Sequence, residues 1–292
     1  MRHLLDFQDV DKRHLEKLIE VTKTSEAKAE NLDSLAILKF DEPSTRTRLS
    51  FAIAAEKLGI KTFESSDSIS ANQKGEMLKH EIETYVSMGI EILVLRTKEN
   101  NIDDYRVLED VGVISGGFGD ISHPTQALID ISTLDSFDKL KGTSVPITYI
   151  GDVKHSRVFE SGRQLLSLLG YKVGVFTNQN LLPEDKSNVE IYESWDEVFE
   201  NTNAVELLRV QKERIQENEK IDFEDYVKNY QLTNKVLKKS RDDLIVLHPM
   251  PINVGIEISE DAIKDRKIKY LNQLSYAIPS RIAAFKYVKG EL

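Results

Sequence analysis

The chain has 292 residues, 40% of them hydrophobic and 30% charged, which suits a folded protein of two ordinary domains and not a disordered one. Its formal charge of −10 argues against a nucleic-acid surface, so any anionic ligand must be drawn by local positive charge. With no cysteine, disulfides, thiol chemistry and cysteine-built zinc sites are excluded.

The start, MRHLLDFQDVDKRHLEKL, alternates charge with leucine and reads as an amphipathic first helix, not a signal peptide. No apolar run approaches the length of a membrane span, so a cytoplasmic protein with no membrane contact is expected. The apolar run in 34–40 reads as a buried strand, broken at Asp41-Glu42-Pro43. Ser44-Thr45-Arg46-Thr47-Arg48 then opens a helix that closes at Gly59, with Pro43 and Ser44 as start signals. Leu49, Ala52, Ile53 and Leu58 fall near helical spacing, which predicts the face that packs on a sheet. The free amides and dipole of a helix start attract anions, and the hydroxyls and guanidiniums added here suit a phosphate-like group. Taken alone, the same run equally fits a capped surface helix with exposed arginines.

Further strands are predicted at 91–96 and 111–115, then a helix from about Pro124 to Leu134. The polar stretch from Asp135 to Gly142 marks a boundary between domains at 1–135 and 136–277. In the second half the candidate strands are 144–151, 172–177, 203–209, 243–248 and 269–273. From about Ile278 the apolar residues Ile282, Ala283, Phe285, Tyr287 and Val288 are spaced as in a helix. Helices alternating with short β-rich runs predict an α/β protein of two doubly wound parallel-sheet domains with helices on both faces. The polar motifs follow strands: Ser44–Thr47, Arg96 and His123 in the first half, Arg157, Arg209–Gln211 and His248–Pro251 in the second. Ligands of such sheets bind beyond the carboxyl strand ends, so one active-site cleft between the domains is expected.

The Ser-Thr-Arg-Thr-Arg turn resembles the carbamoyl-phosphate signature of the aspartate/ornithine carbamoyltransferase family. Four more stretches resemble that family in its own order: SANQKGE (70–76), SHPTQALID (122–130), LLRVQKER (207–214) and LHPMPINVGIEI (247–258). The resemblance implies that 278–292 packs back onto the first domain. It implies that Ser44, Thr45, Arg46 and Thr47 bind phosphate oxygens, with Arg46 stabilising charge on the leaving group. Arg96 would reach the phosphate and carbonyl region, and His123 would donate to the carbonyl oxygen. Gln126, one turn on, would accept from the carbamoyl amide. Met250 and Pro251 would aim backbone carbonyls at the carbamoyl nitrogen. By themselves Arg96 also fits a solvated strand-end charge, and His123 a structural hydrogen-bonder or helix cap.

Ser70 and Lys74 read plainly as part of a surface loop. In the resembled family the matching loop enters a neighbouring subunit's site, which implies a homotrimer with shared sites. Lys74, Arg157, Arg209 and Gln211 match the amino-acid-binding positions, and two guanidiniums can fork onto the two carboxylates of L-aspartate. The ornithine branch carries a cysteine where this chain has His248-Pro249-Met250-Pro251, so the aspartate branch is favoured. One departure is the arginine that family members usually carry shortly after this proline, since Ile252-Asn253-Val254-Gly255 has none.

The implied reaction is carbamoyl phosphate plus L-aspartate giving N-carbamoyl-L-aspartate and phosphate, a step toward pyrimidines. The alternatives are a carbamoyltransferase for a different amine and a non-catalytic, ligand-binding homologue. No cofactor and no metal is expected, because His123, His155 and His248 are widely separated and lack a carboxylate cluster at ligand spacing. The residues do not specify whether a regulatory chain joins the trimer.

Overall fold

Strand β1 (Leu35–Phe40) is buried along all but its first residue, as expected of an apolar strand covered on both faces. The computed structural model describes residues 1–24, 31–65, 78–210 and 222–292. The chain divides into two units, Met1–Ser132 with Ser275–Leu292, and Thr133–Leu274.

In the first unit, α1 (Lys12–Thr24) precedes β1, and α2 (Thr45–Lys57) leads from it to β2 (Lys61–Ser65). After α3 (Leu78–Ser87) come β3 (Ile92–Thr97), α4 (Ile102–Arg106), β4 (Gly112–Phe118) and α5 (Pro124–Ser136). The four strands are parallel, in the order β2-β1-β3-β4. Chain order reverses between β1 and β3, which makes their carboxyl ends the switch point of this sheet.

The first unit departs from the expected elements in two places. The first helix begins only at Lys12, because the segment before it lies along the free edge of β4. Leu4 N donates to Val113 O at 2.8 Å, Ser115 N donates to Leu4 O at 2.9 Å, and Leu4, Leu5 and Phe7 are buried there. In α2 the buried residues are Thr47, Ser50, Phe51, Ala54 and Ala55, while Leu49 is 58% exposed and Ala52 and Ile53 are half-buried. This helix is apolar on more than one side, and the larger Phe51 decides which side turns inward.

In the second unit, β5 (Ile147–Ile150), α6 (Arg157–Leu168), β6 (Val173–Phe176) and β7 (Val189–Ile191) are followed by α7 (Trp195–Asn201) and β8 (Ala204–Leu207). Then come α8 (Phe223–Tyr230), α9 (Asn234–Leu237), β9 (Ile245–Leu247) and α10 (Tyr270–Ser275). The strands are again parallel, ordered β7-β6-β5-β8-β9, with the switch point between β5 and β8. The strand expected at 269–273 is instead the start of α10, and only Ile268 bridges β9. The run KYLNQ is too short for period to decide, and Gln273 turns inward to bond polar groups beside β9.

The last helix, α11 (Ala277–Lys289), packs on α1, α2 and β4 and is buried from Pro279 to Val288. Phe285 meets Phe51 edge-on at 5.7 Å between ring centres. Among the described residues no helix is long and apolar enough to cross a membrane.

Candidate active site

In the first unit Ser44–Thr47 and Arg96 stand at the β1/β3 switch point, and His123 and Gln126 follow the neighbouring β4. Ser44 is the N-cap of α2 but makes no side-chain capping bond, so its hydroxyl is not committed to the helix. Thr45 and Arg46 are exposed and Thr47 is buried, all three in the first turn, where backbone N–H groups have no helical acceptor. Arg48 pairs with Glu64 of β2 at 3.3 Å, whereas Arg46 makes no ion pair among the described residues. The pair with Glu64 distinguishes Arg48 from Arg46, which lies in the first turn beside the free N–H groups of the helix start.

Arg96 lies where the β3/β4 register shifts by one residue, after Leu95 opposite Ser115 and before Arg96 opposite Gly117. The bulge falls at Gly116, whose carbonyl accepts from Arg96 Nη1 at 3.2 Å. Arg96 Nε also sits 3.3 Å from Glu42 Oε2, and Asp41 N donates to Arg96 O at 2.9 Å. The turn after β1 is thus held against the end of β3.

Gly119 has φ +48°, the left-handed backbone that favours glycine, and a Cβ there would lie 1.6 Å from Asn100 Oδ1 and displace that side chain from the loop before His123. His123 and Gln126 are both buried, and Gln126 N donates to His123 O at 2.9 Å in the first turn of α5. Pro124 starts that helix, where its missing N–H costs no hydrogen bond. Gln126 Nε2 donates to Asp130 Oδ1 at 2.8 Å, one turn along. Ser44–Thr47, Arg96, His123 and Gln126 therefore all stand on or just past carboxyl strand ends of one sheet.

The second unit repeats the pattern at the β5/β8 switch point. Gly151 has φ +130°, and a Cβ there would come within 2.1 Å of Leu208 O, so the loops after the two strands touch backbone to backbone. Asp152, fully buried, accepts from His155 N at 3.2 Å and His155 Nδ1 at 2.9 Å, which ties up that histidine. Ser156 caps α6 by accepting from Phe159 N, and this places the buried Arg157 at the first helical position. Half-buried Arg209 follows β8.

Glu257 joins the loop after β8 to the loop after β9. Its Oε1 accepts from Val210 N at 3.1 Å and Asn253 Nδ2 at 2.9 Å, and its Oε2 accepts from Asn253 N at 2.7 Å. Burial pushes the Glu257 carboxyl above its ordinary value, against the pull of those hydrogen bonds. His248 N donates to Gln273 Oε1 at 2.9 Å, and Gln273 Nε2 donates to Glu206 Oε1 at 3.0 Å. His248 Nδ1 accepts from Met250 N at 2.9 Å, which leaves the ring proton on Nε2, 4.0 Å from Glu257 Oε2. Met250, at φ +63°, and Pro251 are joined by a cis peptide. The network fixes the backbone from His248 to Asn253.

Ser70, Lys74 and Gln211 lie outside the described residues. Glu42, Asp130, Glu206, Glu257, Gln273 and Arg281 are site-supporting residues that sequence reasoning did not single out. The Gln126/Asp130 spacing of four in a helix was a signal available in the sequence. Among the described residues no group of three histidine or carboxylate side chains is arranged to hold a metal.

Two parallel sheets, each with guanidiniums at its switch point, define a doubly wound α/β protein. The aspartate/ornithine carbamoyltransferase carbamoyl-P binding domain matches residues 2–136, and the Asp/Orn binding domain of the same family matches 143–288. The chain belongs to this family. It is similar to the aspartate carbamoyltransferase catalytic subunits of Aquifex aeolicus, 33% identical over 99% of both chains, and of Thermus thermophilus, 35% identical over 99% of this chain and 98% of that one. It is also similar to a solved catalytic subunit of M. Jannaschii aspartate transcarbamoylase, at 28% identity and a TM-score of 0.80, covering 100% of this chain and 99% of the other.

Proposed function

We infer that this chain transfers the carbamoyl group of carbamoyl phosphate to the amino group of L-aspartate, releasing phosphate and N-carbamoyl-L-aspartate for pyrimidine synthesis. The observation that carries this reading is the placement of Ser44–Thr47, Arg96, His123 and Gln126 on or just past carboxyl strand ends of one sheet, in a chain whose relatives above are aspartate carbamoyltransferases. The helix start with Ser44, Thr45, Arg46 and Thr47 binds the phosphate. Arg46 and Arg96 neutralise it as the carbon–oxygen bond breaks. His123 donates to the carbonyl oxygen as the aspartate nitrogen attacks the carbon, and Gln126 accepts from the carbamoyl amide. Met250 and Pro251 direct backbone carbonyls at the same nitrogen. Arg157, Arg209 and Gln211 read the aspartate carboxylates. Such fixed charges supply most of the rate gain without a covalent intermediate.

Residues 1–135 with the last helix form the carbamoyl-phosphate-binding domain, and 136–277 the aspartate-binding domain. The working assembly is a cytoplasmic homotrimer in which Ser70 and Lys74 enter the site from the adjacent subunit. The test is a product assay with purified protein offered carbamoyl phosphate and either aspartate or ornithine. Carbamoyl-aspartate is expected, and citrulline in its place overturns the reading.

A further inference from the structure

Gln126 and Asp130 are four residues apart on α5, 8% and 3% exposed, and joined by one hydrogen bond. A glutamine amide has two ends of opposite polarity that differ little in shape, so its orientation is set by its neighbours. An ionised carboxylate only accepts. It therefore selects the orientation in which Nε2 faces Asp130 and Oε1 faces the other way.

A buried carboxylate needs opposite charge nearby. Arg281 of α11, 2% exposed, supplies it. Burial pulls the Arg281 guanidinium below its ordinary value, the Asp130 charge works against that pull, and Arg96 adds to it. Arg281 is held in place by Ser280 Oγ at 2.7 Å, by the Thr125 carbonyl at 3.5 Å and by the Phe51 ring at 5.4 Å. The last helix thus supports the charge that orients Gln126.

We propose that Asp130 is a positioning residue for the carbamoyl site: by accepting from Gln126 Nε2 it turns Oε1 toward the carbamoyl nitrogen, and so makes the site prefer a carbamoyl phosphate to an acyl phosphate. This rests on the reading of Gln126 given above. A carbamoyl group ends in NH2, which donates, whereas an acetyl group ends in a methyl of similar size, which does not. An Oε1 acceptor rewards the first alone. The reversed amide would meet the carbamoyl NH2 with its own donor.

The test is the binding of carbamoyl phosphate and of acetyl phosphate to the purified full chain, measured without aspartate. Asp130→Asn keeps the size but offers donors as well as an acceptor, and the nearby Arg281 charge favours turning its NH2 toward Gln126. The variant is expected to lose about tenfold of the preference for carbamoyl phosphate, through weaker carbamoyl phosphate binding with acetyl phosphate binding unchanged. In a Gln126→Met background the same substitution is expected to change nothing further. Equal weakening of both ligands, or the same loss with Gln126→Met, overturns the proposal, because either result marks Asp130 as merely structural. Should Asp130→Asn not fold, Asp130→Ala, which withdraws the acceptor, is read the same way. The binding measurement needs no turnover, so its failure and a failed product assay are separate results. If Gln126→Met keeps the full preference while the wild type makes carbamoyl-aspartate, this proposal falls and the function stands.

Discussion

Lys39 and Glu81 form a two-pronged ion pair, with Nζ 2.9 Å from each carboxylate oxygen and side chains only 3% and 5% exposed. Lys39 is next to last on β1 and Glu81 is in the first turn of α3, so the pair fastens the strand that delivers Ser44–Thr47. Breaking one half of a buried pair leaves the other charge in low dielectric. Lys39→Met is therefore expected to cost about 3–5 kcal/mol of unfolding free energy, and adding Glu81→Leu to restore most of it. Urea unfolding of the two variants checks this. A single-variant loss below about 1 kcal/mol would mean that water reaches Glu81.

The same carboxylate accepts from the Tyr85 hydroxyl at 2.6 Å. Burial first, and then the bond to Glu81, push the Tyr85 phenol up to about 12, while Ser65 pulls slightly the other way. A raised value in the folded state means that the contribution is complete below about 10, the ordinary phenol value, and is lost as pH rises to about 12. The tyrosinate absorbance of the wild type minus that of Tyr85→Phe should rise near pH 12. A rise centred near pH 10 would show that Tyr85 ionises as if free.

What was legible in the sequence follows from what each residue type can announce alone. The apolar run of β1 and the Pro43-Ser44 start signal mark a strand and a helix with no knowledge of their neighbours. Strands β2 and β7 were not anticipated because they are edge strands, KTFES and VEI, with no apolar run. The side of α2 that turns inward depends on Phe285 in the last helix, more than 200 residues away in sequence, and local period cannot report that. The supporting polar residues were hidden for a similar reason. Glu257 and Gln273 are ordinary residues until Val210, Asn253 and His248 are brought against them.

Arg46 is exposed at the start of α2, while its neighbour Arg48 is engaged with Glu64. Arg46→Ala should therefore leave the fold intact and lower turnover by about a thousandfold, the scale of removing a donor that stabilises transition-state charge. Turnover and a thermal melt are the two measurements. A well-folded variant with near-normal turnover would remove Arg46 from the site.

A trimer with shared sites has a consequence in mixtures. Lys74→Ala chains and Arg46→Ala chains, each nearly inactive, should regain activity when mixed and allowed to exchange. Some mixed interfaces would then combine an intact Arg46 with an intact Lys74 from the neighbour. Exchange is followed with differently tagged chains. Verified exchange with no recovered activity rules out sharing.

Arg157 and Arg209 stand after β5 and β8, at the switch point of the second unit, while the residues proposed to bind phosphate belong to the first. Binding of the two substrates should therefore be separable by mutation. A bisubstrate mimic, a phosphonate joined through an amide to aspartate, is expected to bind far more tightly than either substrate. Its second half docks intramolecularly, and its shape approaches that of the transition state. The chain carries a net charge of −10, so a dianionic amino acid would be repelled without local guanidiniums. Arg209→Ala should weaken the mimic by about 10²-fold or more, the scale of a lost bidentate charge pair, and raise the aspartate requirement. Carbamoyl phosphate binding alone should stay close to wild type. Titrating the variant first with carbamoyl phosphate and then with the mimic tests both statements. A variant that loses carbamoyl phosphate but keeps aspartate would reverse the roles of the two units, and a wild type that favours an ornithine-based mimic would overturn aspartate as the second substrate.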